Sequence, residues 1–457
     1  MPSTSFAYRA AIGLIWALAL WHSWICRGLF VDGFAFLVQI VAYEEFFFFY
    51  PPRIYAMIAA QVPIMTAVTL GVTDLHFLAQ LLSLGFFGLP TIFYTAALYR
   101  ARNDAVLLAG VLAAIAIVFL ATSFFIVGEY NTLYAMSIFV CVTLVTSNRL
   151  RLGEGLMLAV LGAFSIRVYE AMVYIGPFLV AMSLWRVWSA RKEPGGLRLL
   201  LPALLYLAAA AGFAAGVGVA WHSLIRPVSE LSALHLDETL EQAKYFWQNM
   251  QFDLLFFPAL TIVVWALVRP ADLATIKPYR WAAIGLVLLV VSPTLALTDT
   301  LVRPLAKSQY VTRVMGGLTV CAIMVFMWLY RSDFHVRLKA LIVLRRREAA
   351  QRFLAFAFLM PFAILPADIF LSMTWVDFLQ STRATIASRS GIIAFEDTPL
   401  SRRPDFLLVE NWVLSTQSLA LRSSDSDGII VPPRGFSEWL PFPPEEPPNI
   451  GRFYWRD

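Results

Sequence analysis

Charge is scarce in this chain. Asp, Glu, Lys and Arg make up 14% of its 457 residues, where an ordinary water-soluble globule carries about a quarter. Hydrophobic residues reach 60% and aromatics 14%. That balance excludes the ordinary soluble class and places the chain in the membrane class. Cysteine is also rare: Cys26, Cys141 and Cys321 lie at the edge of or within apolar segments, with no C-x-x-C pair and no metal-ligand spacing. They read as buried, inert thiols. The five histidines are scattered and none stands in an H-E-x-x-H pattern, so the signature of a zinc hydrolase is missing. No solenoid-type repeat is evident. The net charge of +5 does not point to nucleic acid, because Lys and Arg cluster between apolar runs as they do in cytoplasmic loops.

Apolar runs fill the space that charge leaves. Near the N-terminus Arg9 precedes one that contains an Ala-x-Ala at Ala17 to Ala19. The stretch before that site is short and the run continues beyond it, which reads as an uncleaved signal anchor. Segments long enough to span a membrane, or nearly so, cover 10–26, 77–99, 105–127, 132–145, 156–185, 197–221, 254–268, 281–297, 314–330 and 353–375. The loops rich in Lys and Arg fall at 99–104, 147–155, 185–198, 269–280 and 331–352. By the positive-inside rule all are cytoplasmic, and this fixes the parity of everything between them.

Two consequences follow from that parity. Segment 156–185 begins and ends inside, so it goes in and returns as two short helices, with a bend expected at "SIRVYEAM". The first helix exits outward and 77–99 is the next that must return, so 32–74 makes no net crossing. It reads as helices lying along the outer interface, broken at Pro51-Pro52. The alternative is an ordinary span with one basic loop misassigned. Further along, 222–253 is an outer loop in which Asp237 can cap an amphipathic helix. The tail from 376 to 457 is polar and Pro-rich, with short strand-like runs at "GIIAF" and "GIIVPP", and reads as a small extramembrane domain.

The expected fold is therefore an all-α polytopic membrane protein. It has about eleven transmembrane helices in residues 1–375, outer interfacial helices, and a C-terminal extramembrane domain at 376–457. The N-terminus is inside and the C-terminus outside.

Ionisable groups at membrane depth cost a few kcal/mol, so each asks for a function or a partner. Asp32, Gln39 and Tyr43 are spaced by seven and four, which puts them on one helical face. Asp32 can take a proton from a substrate hydroxyl there, or cap a helix that begins at Gly33. Glu44 and Glu45 read as solvated or paired with Arg53. Glu129 lies on a short outer turn and either shares a surface with Asp32 or is a plain turn residue. Arg167 and Glu170, three apart, can neutralise each other at the bend. Arg303, Lys307 and Arg313 crowd one outer loop, where they suit a phosphate or anionic lipid head groups.

This order of features resembles the GT-C glycosyltransferases, multi-pass enzymes that use lipid-phosphate-linked sugars. The matching residues are Asp32 in "LFVDGFAF" after the first span, "PPRIYAMIAAQVP" as a second interfacial helix, Glu129 in "VGEYN", the paired short helices around "SIRVYEAM", and "VRPLAKSQYVTR" as a basic outer loop. The first loop shows "VDG" where the family frequently has an adjacent acidic pair.

The resemblance implies transfer of a sugar from a polyprenyl-phosphate donor to a lipid or cell-envelope glycan acceptor at the outer face of the inner membrane. In that picture Asp32 is the base, Glu129 assists the acceptor or a divalent metal, and Arg303, Lys307 and Arg313 hold the donor phosphate. Gln39, Tyr43, Arg53, Arg167, Glu170 and Tyr310 fall among the substrate-binding residues. The competing classes are a transporter or flippase of a lipid-linked precursor, for which no matched pair of broken helices is seen, and a non-catalytic membrane scaffold.

Overall fold

A computed structural model describes residues 3–48, 50–120, 128–191, 199–225, 309–332, 344–402, 411–433, 442 and 447–456. The described chain is mostly helical. Its helices are α1 (Thr4–Trp24), α2 (Asp32–Tyr43), α3 (Ile54–Thr69), α4 (Leu75–Ala101), α5 (Ala105–Ala114), α6 (Tyr130–Thr146), α7 (Leu152–Ser165), α8 (Met172–Ala190), α9 (Leu200–Ile225), α10 (Gln309–Arg331), α11 (Arg347–Ala387) and α12 (Leu414–Leu421). α5 continues as a π-helical stretch, Ile115–Leu120. Four helices, α1, α4, α8 and α9, are long and apolar enough to cross a membrane. The expected segments 254–268 and 281–297 and the helix capped by Asp237 lie outside the described residues.

Local chemistry sets the helix ends. Ser3 accepts a hydrogen bond from the Phe6 amide at the start of α1, and Asp104 accepts from the Val106 and Leu107 amides at the start of α5. Asp74 does the same for α4 through the His76 amide. The expected bend is present: α7 stops at Ser165 and α8 starts at Met172. Both pack on α9, but in opposite senses. Gly155 meets Leu205 and Tyr206 while Gly162 meets Ala209 and Gly212, so α7 runs parallel to α9. Gly176 meets Phe213 and Val217, and Arg186 acts electrostatically on Tyr206, so α8 runs back. At the end away from the bend, Glu154 binds Arg100 at 2.6 Å and accepts from Ser147 and Tyr206, tying α7 to α4 and α9.

Among the described residues most buried apolar side chains fall into two stacked cores. One gathers α1, α5–α10 and the first part of α11; the other gathers α2, most of α3, α12 and the two strands. Two long helices thread both. In α4, Leu75, Leu78, Leu82 and Phe86 belong to the second core, whereas Phe87, Tyr94 and Leu98 belong to the first. In α11, Leu354, Ile364 and Leu371 belong to the first, whereas Trp375, Phe378 and Ile386 belong to the second. With 27 residues α4 is about 40 Å long, more than the ~30 Å of a hydrocarbon core. Its first half, from Leu75 to Phe86, finds protein partners in the second core.

α11 passes through residues 375 and 376, the expected domain boundary, without interruption. Within 33–74, α2 is buried in the second core, and α3 runs back along the first half of α4. The strand-like runs of the tail pair as β1 (Ile392–Ala394) and β2 (Ile429–Val431), in parallel.

The α3–α4 approach depends on Gly85, where a Cβ would overlap the carbonyl oxygen of Ala60. Replacing Gly by Ala in a helix gains about 1 kcal/mol of propensity, but forcing two backbones apart costs about 1–3 kcal/mol and loosens their apolar contacts. Gly85→Ala is accordingly expected to lower the melting temperature in detergent. A raised melting temperature would show that the two helices separate at no cost.

Candidate functional site

The loop between α1 and α2 places Asp32. Cys26 takes a left-handed backbone (φ 54°), a short turn Arg27–Leu29 follows, and Val31 has φ 53° and ψ −105°. A positive φ at a β-branched residue is strained by about 1–3 kcal/mol and persists only where its surroundings leave no alternative. Those surroundings are on both sides. The Gly28 amide donates to Ser83 Oγ at 2.9 Å, and Trp375 Nε1 donates to the Ile25 carbonyl at 2.9 Å. α2 then begins at Asp32, with Val31 in the capping position and no side-chain cap, so Asp32 is not the expected cap of a helix starting at Gly33. Asp32, Gln39 and Tyr43 do share the accessible face of α2, while residues 33–38, 40 and 41 are buried.

Arg53 organises the other side of the site. It ends the turn Pro51–Arg53, in which two prolines restrict the backbone. Its Nε donates to both Glu170 oxygens, at 2.9 and 3.0 Å, and Nη1 lies 3.8 Å from Glu129 Oε2. The guanidinium carbon sits 4.6 Å from the ring centre of Tyr50 and 4.8 Å from that of Tyr169. The Tyr55 amide donates to the Arg167 carbonyl at 3.0 Å, so the start of α3 is stitched to the bend at 166–171. Glu170 therefore pairs with Arg53 and not with Arg167, whose side chain is exposed. Arg53 in turn does not pair with Glu44, which binds Arg452 at 3.0 Å.

α6 and α10 close the site. Glu129, immediately before α6, is 4% exposed. Arg313 on α10 faces the Tyr130 ring at 5.7 Å, and its carbonyl accepts from Tyr134 Oη, which also lies 3.5 Å from Tyr174 Oη. Burial pushes the Asp32 carboxyl above the usual carboxylate range, against the pull of Arg313 and then Arg53. Burial raises Glu129 as well, opposed first by Arg53. Arg53 is disfavoured by burial, but Glu170, Tyr169 and Glu129 hold it firmly protonated. Asp32, Arg53, Glu129, Glu170 and Arg313 thus feel one another's charge at the level where the two cores meet.

Of the expected residues, Gln39 and Tyr43 share a face with Asp32 but have no hydrogen bond or ion pair to the cluster among the described residues. Arg303 and Lys307 lie outside the described residues, and for Tyr310 only its place at the start of α10 is described. The tyrosines at 50, 130, 134, 169 and 174 pack around these charges and are what charge counting overlooks. Their signal is the recurrence of Tyr beside the acids in "GEYNTLY" and "VYEAMVY". A divalent metal does not fit these residues. Among the described residues no three His, Cys, Asp or Glu side chains are grouped to hold one, and Glu129 and Glu170 both face Arg53. No family model, curated protein or solved structure matches this chain.

Proposed function

We propose that this protein is a membrane glycosyltransferase. It moves a sugar from a polyprenyl-phosphate donor to a hydroxyl of a lipid or cell-envelope glycan at the outer face of the inner membrane. One observation carries the reading: a partly accessible acid, Asp32, faces two arginines and a second acid, Glu129, at one junction of the fold. Asp32 takes the proton of the acceptor hydroxyl as its oxygen bonds to the anomeric carbon. The bond from that carbon to the phosphate oxygen breaks, and polyprenyl phosphate leaves with the electron pair. Arg313, with Arg303 and Lys307 on the same stretch of sequence, neutralises the charge that develops on the leaving phosphate. Glu129 orients the acceptor.

The test is incubation of sealed membrane vesicles with polyprenyl-phosphate sugars labelled in the sugar. Label should become covalently attached to an acceptor. Label that merely changes leaflet while still on its carrier would identify a flippase and end this reading.

The full span count, about eleven with the N-terminus inside and the C-terminus outside, follows from the basic loops. It predicts that a cysteine at position 70, where Leu70 is 78% exposed, reacts with an impermeant thiol reagent from outside. A cysteine at the exposed position 149 should react only after permeabilisation. The reverse pattern would invert the topology and remove the outer-face assignment.

A further inference from the structure

We propose that Arg53 is the resident cation of this site, taking the place between Glu129 and Glu170 that a divalent ion would fill, so that transfer proceeds without a divalent metal. The second half of this statement rests on the glycosyl-transfer reading; the first half does not.

The geometry is that of a built-in counter-ion. Both Glu170 oxygens are engaged by one Arg53 nitrogen at 2.9 and 3.0 Å, and Nη1 of the same guanidinium is 3.8 Å from Glu129. A hard divalent ion needs several oxygen ligands with free lone pairs converging at about 2.0–2.6 Å. Each Glu170 oxygen already gives a lone pair to Arg53, and the guanidinium charge stands where the ion would sit. Arg53 is also placed with little freedom. Tyr50 and Tyr169 take its faces, Pro51 and Pro52 stiffen its turn, and the Tyr55 amide anchors the next residues to the bend that carries Glu170.

Charge accounting among the described residues points the same way. Three acids, Asp32, Glu129 and Glu170, share the site with Arg53 and Arg313. Without Arg53, these three carboxyl groups would be left with Arg313 among the described residues. Oxygen-rich, negatively charged surroundings are what Mg²⁺ and Mn²⁺ select. Arg53 thus supplies at Glu129 and Glu170 the positive charge that a divalent ion would otherwise bring.

The experiment uses the full chain in detergent, with Mn²⁺ as the probe and its free signal followed by electron paramagnetic resonance. Wild type should take up no stoichiometric Mn²⁺, whereas Arg53→Ala and the bulkier Arg53→Gln should each gain a site. Transfer by wild type should survive EDTA. In Arg53→Ala it should fall about 100-fold, as expected for loss of a preorganised charge, and recover in part with added guanidinium. Stoichiometric Mn²⁺ binding by wild type, or transfer that EDTA abolishes and Mn²⁺ restores, would overturn the proposal. Folded Arg53 variants that gain no Mn²⁺ site would overturn it too. If no donor supports transfer at all, the glycosyl-transfer reading fails while the Mn²⁺ titration still decides the place of Arg53.

Discussion

Asp32→Asn is expected to cut sugar transfer by about 10²–10⁴-fold, the usual contribution of a positioned general base, while leaving the protein folded. Asn keeps the size of the side chain, and Asp32 provides no cap that α2 would miss. The donor should bind no more weakly, because the substitution removes a negative charge beside Arg313 and Arg53; the loss should therefore fall on kcat and not on KM.

Wild-type transfer should also decline as pH falls through a value above the ordinary carboxylate range of about 4, since burial raises Asp32 and only its ionised form accepts a proton. Stability should move the other way. A carboxyl raised on folding favours the folded state below its unfolded value, and that advantage is lost as pH rises through the folded value. At neutral pH Asp32→Asn should thus melt higher than wild type, with the difference vanishing in acid. A folded variant with undiminished transfer would remove Asp32 from the chemistry. A melting temperature below that of wild type at neutral pH would mean that the ionised carboxylate is held by a structural partner.

Deleting residues 449–457 should open the second core. Ile450, Phe453 and Trp455 are 1%, 2% and 6% exposed, and burial of such side chains is worth about 1.5–3 kcal/mol each, or at most about 9 kcal/mol together. That is comparable to the whole stability of many domains. The deletion also removes a short parallel bridge, in which the Leu75 amide donates to the Tyr454 carbonyl at 2.9 Å and the Tyr454 amide to the Thr73 carbonyl at 3.2 Å. It takes away the Trp455 ring stacked on His76 at 4.6 Å as well. The first core contains none of these residues and should persist. Limited proteolysis of the reconstituted protein should show new cleavage in the α3–α4 turn, at 70–74, with the helical core still protected. An unchanged digestion pattern would show that the tail is dispensable to the second core.

Short-range physics made much of this molecule readable in advance. Apolar runs bounded by charge set most of the described helices. The 3.6-residue period put Asp32, Gln39 and Tyr43 on one face, and the polar interruption at Arg167 and Glu170 located the bend. The strand-like character of "GIIAF" and "GIIVPP" was equally local. Each of these depends on neighbours within a few turns of chain.

The rest is decided by residues far apart in sequence. Arg53 and Glu170 are 117 positions apart, and Glu44 meets Arg452 across 408. No periodicity links such partners, so a charge beside them in sequence, Arg167 for Glu170 or Arg53 for Glu44, looks equally plausible until the chain is packed. The backbone of Val31 likewise follows from clamps on α4 and α11, and not from its own preference. Local pattern thus suffices for which stretches become helices, where one bends and which face of α2 carries the acid. Which charges meet, and that α2, α3 and the tail share the second core, follow from long-range packing that local patterns do not encode.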